Sequence, residues 1–373
     1  RSAHCPLINH AEYSSIHEKL QFESQAIPTE STASSRRVPK HGSFDGRFMT
    51  TRRRLLFSTA AALAAPAILG ARAQSYPSKP ITLVVPFTPG GSTDILARLI
   101  GQKLEAALGQ AVVIENKPGA GGSVGSASVA NAAPDGHTLL LAHIGTLAVN
   151  PGLYPNLPYN PLKSFAFVSM LARVHNVLAV PPSLPVTSVR EFIAYAKARP
   201  GQLNYASGGN GSAAHIATEA LADAAGLKLQ HVPYRGTSPA VQDLLGGRVQ
   251  LMLTGAPVLL PLVRDRQLRA LGVSGLTRIA NAPEIPTLAE AGPLPGFEAS
   301  QWYGLVTTAG TPPAVLDRLV RETHAALAAP DVAGKLAPQG ADVWATSPAE
   351  FRAHVEAEIP RWKALIDRAG IRL

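Results

Sequence analysis

A glycine turn followed by small polar residues is the first feature of this chain that could do chemistry. In the segment VVPFTPGGSTDILARLIGQKL, an apolar run ends at Gly90 and Gly91. An amphipathic helix is predicted to begin directly afterwards, with Ser92, Thr93 and Asp94 in its first turn. The first backbone N–H groups of a helix have no partner inside the helix, and the helix dipole makes this end attractive to anions. The corner therefore predicts either an anion site or an ordinary helix cap made by Ser92 or Thr93.

A second corner of the same kind lies further along the chain. The segment NYASGGNGSAAHIATEAL runs from a strand through glycines to Ser212, with His215 in the first turn of the next helix. A third passage, HVPYRGTSPAVQDLLGG, places Tyr234 at the carboxyl end of another strand. Ligands of open α/β sheets bind outside the carboxyl ends of the strands. Corners in both halves of the chain therefore predict that a small carboxylate binds between them.

A serine hydrolase is the weaker alternative. The stretch 121–125 fits G-x-S-x-G around Ser123, and Asp135 and His137 follow in hydrolase order. A nucleophile elbow needs a sharp turn from strand to helix at the serine, whereas here the loop NKPGAGG intervenes. Asp135 and His137 belong to the turn PDGH, where the aspartate is expected to bond its own backbone.

Cofactor and metal motifs are missing from the sequence. It contains no phosphate loop, no G-x-G-x-x-G and no H-E-x-x-H. We therefore expect no cofactor and no metal. Five histidines that follow Ala73 are expected to be hydrogen-bonded polar residues rather than metal ligands, namely His137, His143, His175, His215 and His231.

An export signal is predicted in residues 49–73. Three arginines at 52–54 precede an apolar run over 55–69, and Ala71-Arg72-Ala73 fits an A-x-A cleavage site. The apolar run is shorter than the roughly 20 residues that a membrane-spanning helix needs. We expect Met49 to be the true start, residues 1–48 to be an upstream extension, and the mature protein to be periplasmic. The basic start is compatible with both the general secretory and the twin-arginine routes.

The charge balance changes once the leader is removed. The full chain has a net charge of +9, but residues 1–73 hold 10 of its 34 basic and 5 of its 25 acidic residues, so 24 basic and 20 acidic residues remain. No basic cluster with interleaved aromatic residues follows Ala73, which argues against nucleic acid as a partner. The single cysteine, Cys5, lies in the upstream extension, so the mature chain is expected to lack thiol chemistry.

The order of the predicted elements indicates an α/β protein with two lobes. From Tyr76 onward, strand-like runs alternate with helical patterns, as in a sheet covered by helices. A long extended run over 165–182 leads into a second alternating region, and FEASQWYGLVTTAGTPP leads back. We therefore predict one lobe from residues 76–173 plus 300–373, a second lobe from 174–299, two hinge-crossing strands and a cleft between the lobes.

Several of these motifs resemble one known family. The segments PFTPGGSTDILARLIGQKL, VIENKPGAGGSVG, YASGGNGSAAHIATE, HVPYRGTSPAVQDLLGGRV and IPTLAEAGPLPGFEASQWYGLVTTAGTP are similar to the Bug or TctC family, the extracytoplasmic solute receptors of tripartite tricarboxylate transporters. The resemblance covers residues 76–373. It implies a type II periplasmic-binding-protein fold of the Venus-flytrap kind, without enzymatic activity, that closes over a small carboxylate. The expected partners are that ligand and the membrane permease subunits, and the receptor is expected to be a monomer.

The resemblance also implies which residues contact the ligand. Backbone N–H groups of 91–93 and 211–212 would donate to carboxylate oxygens, and the hydroxyls of Thr93, Ser207 and Ser212 would add further bonds. Asp94 would either orient the loop amides or a water, or only favour the helix start. The complete expected set is Phe87, Gly90, Gly91, Ser92, Thr93, Asp94, Gly145, Thr146, Ser207, Gly209, Asn210, Gly211, Ser212, His215, Tyr234 and Thr254.

Position 254 departs from the family pattern. Members often carry an acidic residue where this chain has Thr254, so an amino-acid ligand is the less expected one. The sequence leaves open which carboxylate binds. It also leaves open whether the receptor serves uptake or signals to a sensor protein.

Overall fold

The structure, a computed structural model, describes residues 76–372. The upstream extension 1–48 and the signal peptide 49–73 lie outside these residues. Within the described part of the chain, no helix combines the length and the apolar character needed to cross a membrane.

Strands and helices alternate along the described residues. The strands are β1 Ile81–Val85, β2 Val112–Asn116, β3 Thr138–His143, β4 Phe165–Val174, β5 Asn176–Val180, β6 Asn204–Ser207, β7 Gln230–Pro233, β8 Met252–Gly255, β9 Arg269–Val273, β10 Gln301–Thr308 and β11 Ala341–Val343. The helices are α1 Ser92–Leu108, α2 Ser123–Ala130, α3 Asn150–Leu153, α4 Val189–Lys197, α5 Ala213–Ala225, α6 Thr237–Leu245, α7 Ala256–Arg264, α8 Leu288–Ala291, α9 Pro313–Ala328, α10 Pro330–Leu336 and α11 Pro348–Ala369. A π-helical turn spans Gly145–Val149, and 3₁₀ turns span Ala120–Gly122 and Ala337–Gln339.

The first sheet is a mixed sheet of six strands in the order β11-β4-β10-β3-β1-β2. Strand β1 pairs in parallel with β2 and β3, whereas β10 runs antiparallel to β3 and β4. Successive residues of β3 enter different cores, Leu139 on one face and Leu140 on the other. Helices α1 and α9 pack on the first face and α11 packs on the second, so both faces of this sheet are covered.

The second sheet continues the chain after a single connecting residue. Strand β4 ends at Val174 and β5 begins at Asn176, with His175 between them. Strand β5 lies between β8 and β9, and β6 and β7 extend this region through a bridge between Tyr205 and Leu251. The chain returns to the first sheet at Gln301, the start of β10. The protein therefore has the expected α/β fold with two lobes.

We propose the lobe boundaries predicted above, 173/174 and 299/300, because they fall within one or two residues of these crossings. The residues on the β1 side are called the first lobe below, and those between the crossings are called the second lobe.

Phe351 shows how tightly the first lobe is packed. Its side chain is fully buried and meets the ring of Phe167 edge to face, with ring centroids 5.0 Å apart. On β10, Gly304 leaves space for this ring, because a Cβ at that position would collide with it. The helix that carries Phe351 begins with a capping box of Ser347 and Glu350.

Replacing Phe351 with alanine should lower the free energy of unfolding by about 3–5 kcal/mol, because a buried aromatic ring leaves a cavity that the sheet and helix cannot fill. Urea unfolding followed by circular dichroism measures this loss. Lys363→Ala on an exposed part of the same helix is the matched control and should change stability by less than about 0.5 kcal/mol. A loss below about 1 kcal/mol for Phe351→Ala would show that this contact is not part of a close-packed core.

Candidate functional site

The first corner begins α1 without a side-chain cap. Gly91 is the N-cap residue in an extended conformation, and no side chain caps the helix. Within residues 76–372, Ile95 supplies the first N–H group of α1 that bonds backbone, donating to the carbonyl of Gly91 over 3.0 Å. Of the two alternatives, the cap by Ser92 or Thr93 is therefore not formed. The N–H groups before Ile95 are free to meet an anion.

Asp94 stabilises the conformation of this corner through hydrogen bonds. Its carboxylate accepts hydrogen bonds from the N–H of Gly90 at 3.1 Å, from Arg98 at 2.9 Å and from Asn116 at 3.0 Å. Burial opposes ionisation, but the bonds from Arg98, Gly90 and Asn116 outweigh it and lower the pKa of Asp94. Asp94 thus orients the loop amides, one of the expected roles, and its charge is already paired with Arg98.

The second corner begins α5 with a side-chain cap. The hydroxyl of Ser212 accepts from the N–H of His215 at 3.3 Å. The expectation that Gly211 and Ser212 offer their N–H groups to the ligand needs correction. Gly211 donates to Nδ1 of His215 at 3.1 Å, and Ser212 donates to the carbonyl of Gly209 at 3.0 Å. Ala213 and Ala214 carry the N–H groups that remain at this helix end, and both residues line the cavity described below.

A third helix, α6, reaches the same place. Its N-cap is Gly236, again without a side-chain cap, and Thr237 is its first residue. The sequence predicted that this passage contributes to the site, but through Tyr234 rather than Thr237. Thr237 follows a glycine as Ser92 does, so the rule that found the first corner also points to this one.

These three helix starts surround a small cavity of about 30 Å³ between the lobes. Within the described residues, none of the side chains lining this cavity is Asp, Glu, Lys or Arg. The lining residues are Phe87, Gly91, Ser92, Thr93, His143, Gly208, Ser212, Ala213, Ala214, Thr237, Thr254, Gln301 and Tyr303.

His143 is a cavity residue that the sequence reasoning assigned only a hydrogen-bonding role. Its Nδ1 accepts from the N–H of Gly145 at 2.6 Å, so the neutral ring carries its proton on Nε2. Burial lowers the pKa of His143 to about 3. The ring stacks on Phe87 with centroids 4.6 Å apart. His143 is therefore a neutral donor rather than a cation.

Gln301 and Tyr303 were also not predicted. The hydroxyl of Tyr303 donates to Oε1 of Gln301, whose Nε2 donates to Oδ1 of Asn176. Asn176 in turn donates to the carbonyl of Ala299 at 2.6 Å. Asn176 and Gln301 begin the strands after the two crossings, so one hydrogen-bonded chain joins the cavity to both connections between the lobes.

The lobes touch directly around this cavity. Ser238 in α6 donates to the carbonyl of Pro89 at 3.0 Å, and Tyr154 donates to the carbonyl of Asn210 at 3.1 Å. A Cβ at Gly91 would lie 3.3 Å from Oγ1 of Thr237. The structure therefore describes the lobes closed on each other.

A second, larger cavity of about 470 Å³ adjoins the first and shares Phe87 and Gly208 with it. Arg235 lies at this cavity, and within the described residues it makes no salt bridge. The other lining residues are Pro118, Gly119, Ala120, Gly121, Gly122, Tyr154, Gly209, Asn210 and Tyr234. Tyr234 does not offer its hydroxyl to this cavity, because it donates to Asp243 at 2.7 Å.

The remaining predicted residues support the site rather than line it. Gly145 and Thr146 belong to the π-helical turn, and the hydroxyl of Thr146 bonds the carbonyl of His143 at 3.0 Å. Ser207 is buried and its hydroxyl bonds Gly209 and His231. His215 lies under the second corner, as described above.

The groups of the hydrolase alternative are not assembled. Ser123 begins α2, and its hydroxyl accepts from Nδ2 of Asn150 at 3.1 Å. Asp135 accepts from the backbone N–H of His137 at 2.9 Å, as expected for a turn, and from Lys79 at 2.9 Å.

A fold of two α/β lobes joined by two crossings, with helix starts from both lobes around one small cavity, defines the class of periplasmic binding proteins. The model of the tripartite tricarboxylate transporter family receptor, TctC, matches residues 96–371. The chain belongs to this family.

Relatives and solved structures agree with this assignment. Protein BugT of Bordetella pertussis is 39% identical over 319 residues, which cover 85% of this chain and 96% of BugT. The structure of Rpa4515 of R. palustris with adipate has a TM-score of 0.77 and 39% identity, covering 80% of this chain and 99% of that one. The structure of MatC from Rhodopseudomonas palustris with bound malate has a TM-score of 0.74 and 35% identity, covering 78% of this chain and 100% of that one.

Gly91→Val should abolish carboxylate binding while leaving the protein folded. The valine side chain would meet Thr237 across the cavity and shield the first N–H groups of α1, whereas the cores of both lobes lie elsewhere. Isothermal titration with a binding carboxylate, together with a melting curve, measures both properties. Gly334→Val, at an exposed helix position with open space around it and no left-handed backbone, is the control for a glycine substitution and should retain binding. A folded Gly91→Val variant with parental affinity would show that the corner takes no part in binding.

Proposed function

We propose that this protein is a periplasmic receptor that captures a small carboxylate between its two lobes and delivers it to a tripartite tricarboxylate transporter. One observation carries the proposal. The N-termini of α1, α5 and α6 converge from both lobes on a small cavity that the described residues line without a charged side chain.

Helix ends can supply the attraction that a cation would otherwise supply. Each helix N-terminus stabilises an anion by about 0.3–1 kcal/mol when exposed and up to about 2 kcal/mol in a partly buried geometry. Hydrogen bonds from N–H groups to a charged oxygen add about 1.5–3 kcal/mol each. Neutral His143, Thr237 and the hydroxyls of α1 provide further donors at the same place.

The shape of the two cavities restricts the ligand. The first cavity has room for one carboxylate group, so the rest of the molecule must extend past Phe87 and Gly208 into the second cavity. There, Arg235 can receive a second anionic group. No acidic side chain lines the first cavity in the described residues, where Thr254 takes the place of the acidic residue that family members often carry and that would meet an ammonium or hydroxyl group. We propose a small dicarboxylate without an amino group, in line with the adipate and malate of the two relatives.

The cellular role follows from the family and the leader. The predicted export signal and the receptor family support a periplasmic location, and we propose a monomer that meets the permease subunits in its closed form. A receptor that signals to a sensor protein would use the same site. A hydrolase would instead need a nucleophilic serine in contact with a general base. We favour uptake because the family model describes transporter receptors.

A panel of acetate, succinate, adipate, malate and citrate should include at least one acid that raises the melting temperature. An acid present at 100 times its dissociation constant should add about 2.7 kcal/mol to the free energy of unfolding. Mass spectrometry of the mixture should recover the acid unchanged. No shift with any of these acids would contradict carboxylate binding, and conversion of the bound acid would contradict a receptor without catalysis.

Arg235→Gln should reduce the affinity for a bound dicarboxylate by about twofold to fivefold and leave the affinity for acetate unchanged, since an exposed charge pair contributes about 0.2–1 kcal/mol. Titration calorimetry at low salt measures the difference. Lys228→Gln, which removes an exposed charge from the same lobe away from both cavities, is the matched control. Equal effects of the two substitutions would mean that Arg235 acts only through the net charge.

A further inference from the structure

Two histidines are stacked behind the second corner. The rings of His215 in α5 and His231 in β7 lie nearly parallel, with centroids 4.1 Å apart and planes 10° apart. Tyr205 of β6 stacks on the other side of His231 at 4.7 Å. His215 is buried and His231 is half-buried. The binding site described above makes no direct use of either ring.

Both rings hydrogen-bond to the loop that leads into α5. Nδ1 of His215 accepts from the N–H of Gly211 at 3.1 Å. Nε2 of His231 lies 2.6 Å from the hydroxyl of Ser207, and either atom can be the donor, because this hydroxyl also lies 3.2 Å from the carbonyl of Gly209. A ring nitrogen that accepts carries no proton. His215 is therefore neutral with its proton on Nε2, and His231 accepts from Ser207 only as the tautomer with its proton on Nδ1.

The loop held in this way determines where α5 begins. The hydroxyl of Ser207 accepts from the N–H of Gly209 at 3.1 Å, and the carbonyl of Gly209 accepts from Ser212 at 3.0 Å. The next residues, Ala213 and Ala214, present the first N–H groups of the helix to the cavity. A shift of the loop would therefore shift the only backbone donors that α5 has left for an anion.

The acidic groups around the rings each have a hydrogen-bond or salt-bridge partner of their own. On α5, Glu219 accepts from the hydroxyl of Tyr205, and burial raises the pKa of Glu219. Asp223 on the same helix binds Arg368 at 2.8 Å. On α6, Asp243 binds Arg248 at 2.6 Å. Among the described residues, no other acidic group on these elements is placed to stabilise a charged imidazole.

We propose that His215 and His231 are positioning residues for carboxylate binding: as a stacked pair of neutral acceptors, they hold the loop Ser207–Ser212 so that α5 starts at the cavity. Protonation of either ring replaces its acceptor with a donor and releases the loop. The binding part of this proposal rests on the proposed function, whereas the state of the rings does not.

The direction of the pH dependence follows from burial. Burial lowers the pKa of His215 to about 3 and that of His231 to about 4, against about 6.5 in an unfolded chain. Because the pKa values in the folded protein are the lower ones, the neutral rings stabilise the closed loop fully above about pH 6.5. This stabilisation declines as the pH falls towards 4, since the rings of an unfolded or released loop then bind protons that the rings behind the closed loop exclude.

Long-range ¹H–¹⁵N spectra of histidine-labelled protein without any acid added test the ring states directly. At pH 7 they should show neutral rings with the proton on Nε2 for His215 and on Nδ1 for His231. Hydrogen exchange should show protected amides at Gly209, Gly211 and Ser212. An imidazolium at pH 7, or the same tautomer for both rings, would overturn the proposal whether or not any carboxylate binds.

Three proteins then separate positioning from packing, with succinate as the probe and the remaining acids of the panel measured beside it. His231→Phe keeps the stack but removes the acceptor, and should lower the affinity for the bound acid about tenfold, as expected for a lost hydrogen bond of about 1.4 kcal/mol. His231→Gln supplies an acceptor oxygen that does not titrate. It should bind nearly as the parent does at pH 7 and lose less affinity between pH 7 and 4.

Each affinity is compared with that of His231→Gln at the same pH, which removes the effect of the added acid's own titration. Parental affinity and a parental pH profile in His231→Phe would overturn the positioning role. If His231→Phe does not fold, the parent and His231→Gln still test the positioning role, because equal pH profiles for these two proteins would also overturn that role. If no acid of the panel binds any of the proteins, the proposed function fails, while the ring spectra still decide the state of the histidines.

Discussion

A cavity that offers an anion only dipoles and hydrogen-bond donors makes strict demands on the rest of the protein. Backbone N–H groups act over one hydrogen-bond length and cannot follow a ligand as a flexible lysine side chain can. The starts of α1, α5 and α6 must therefore point at the same place, and the first of these helices belongs to one lobe while the other two belong to the other. Such a site is complete only when the lobes are together.

Rigid supports behind each helix start meet these demands. Asp94 ties the first corner to Arg98 and Asn116, so the turn cannot relax when the cavity is empty. On the other lobe, the hydrogen bond from Gly211 to His215 and the one between Ser207 and His231 serve the same purpose. The chain from Tyr303 through Gln301 to Asn176 connects the cavity with the residues on which the lobes would turn. Preorganised donors bind more strongly than mobile ones because less conformational entropy is lost on binding.

Local patterns made much of the fold predictable. The glycine turn before Ser92 and the alternation of strands and helices can be recognised from neighbouring residues alone. The capping box at Ser347 needs only four positions. Local reasoning was wrong about Gly211 and Ser212, because a loop can turn its N–H groups towards Gly209 and His215 without any change in composition. Sequence patterns indicate that donors exist, but they do not give their directions.

Residues brought together by sheet pairing could not be found in the same way. His143 and Tyr303 are partners in the register of β3 and β10, although 160 positions of chain separate them. Nothing near His143 in the sequence indicates that a tyrosine from the returning strand lies beside it. Thr237 was within reach of the reasoning that found Ser92, whereas Gln301 and Tyr303 could be placed in the cavity only once the return of β10 was known.

The use of main-chain donors has an evolutionary consequence. Every residue except proline supplies the same N–H group, so substitutions in the helix starts that keep the cavity open, unlike Gly91→Val, would preserve the donors for the proposed carboxylate. The wall of the adjoining 470 Å³ cavity, in contrast, is made partly of side chains such as Tyr154 and Arg235, which single substitutions can reshape. A gene duplicate with this architecture could therefore acquire a new acid by changing only that wall, and it would remain a carboxylate binder throughout the change.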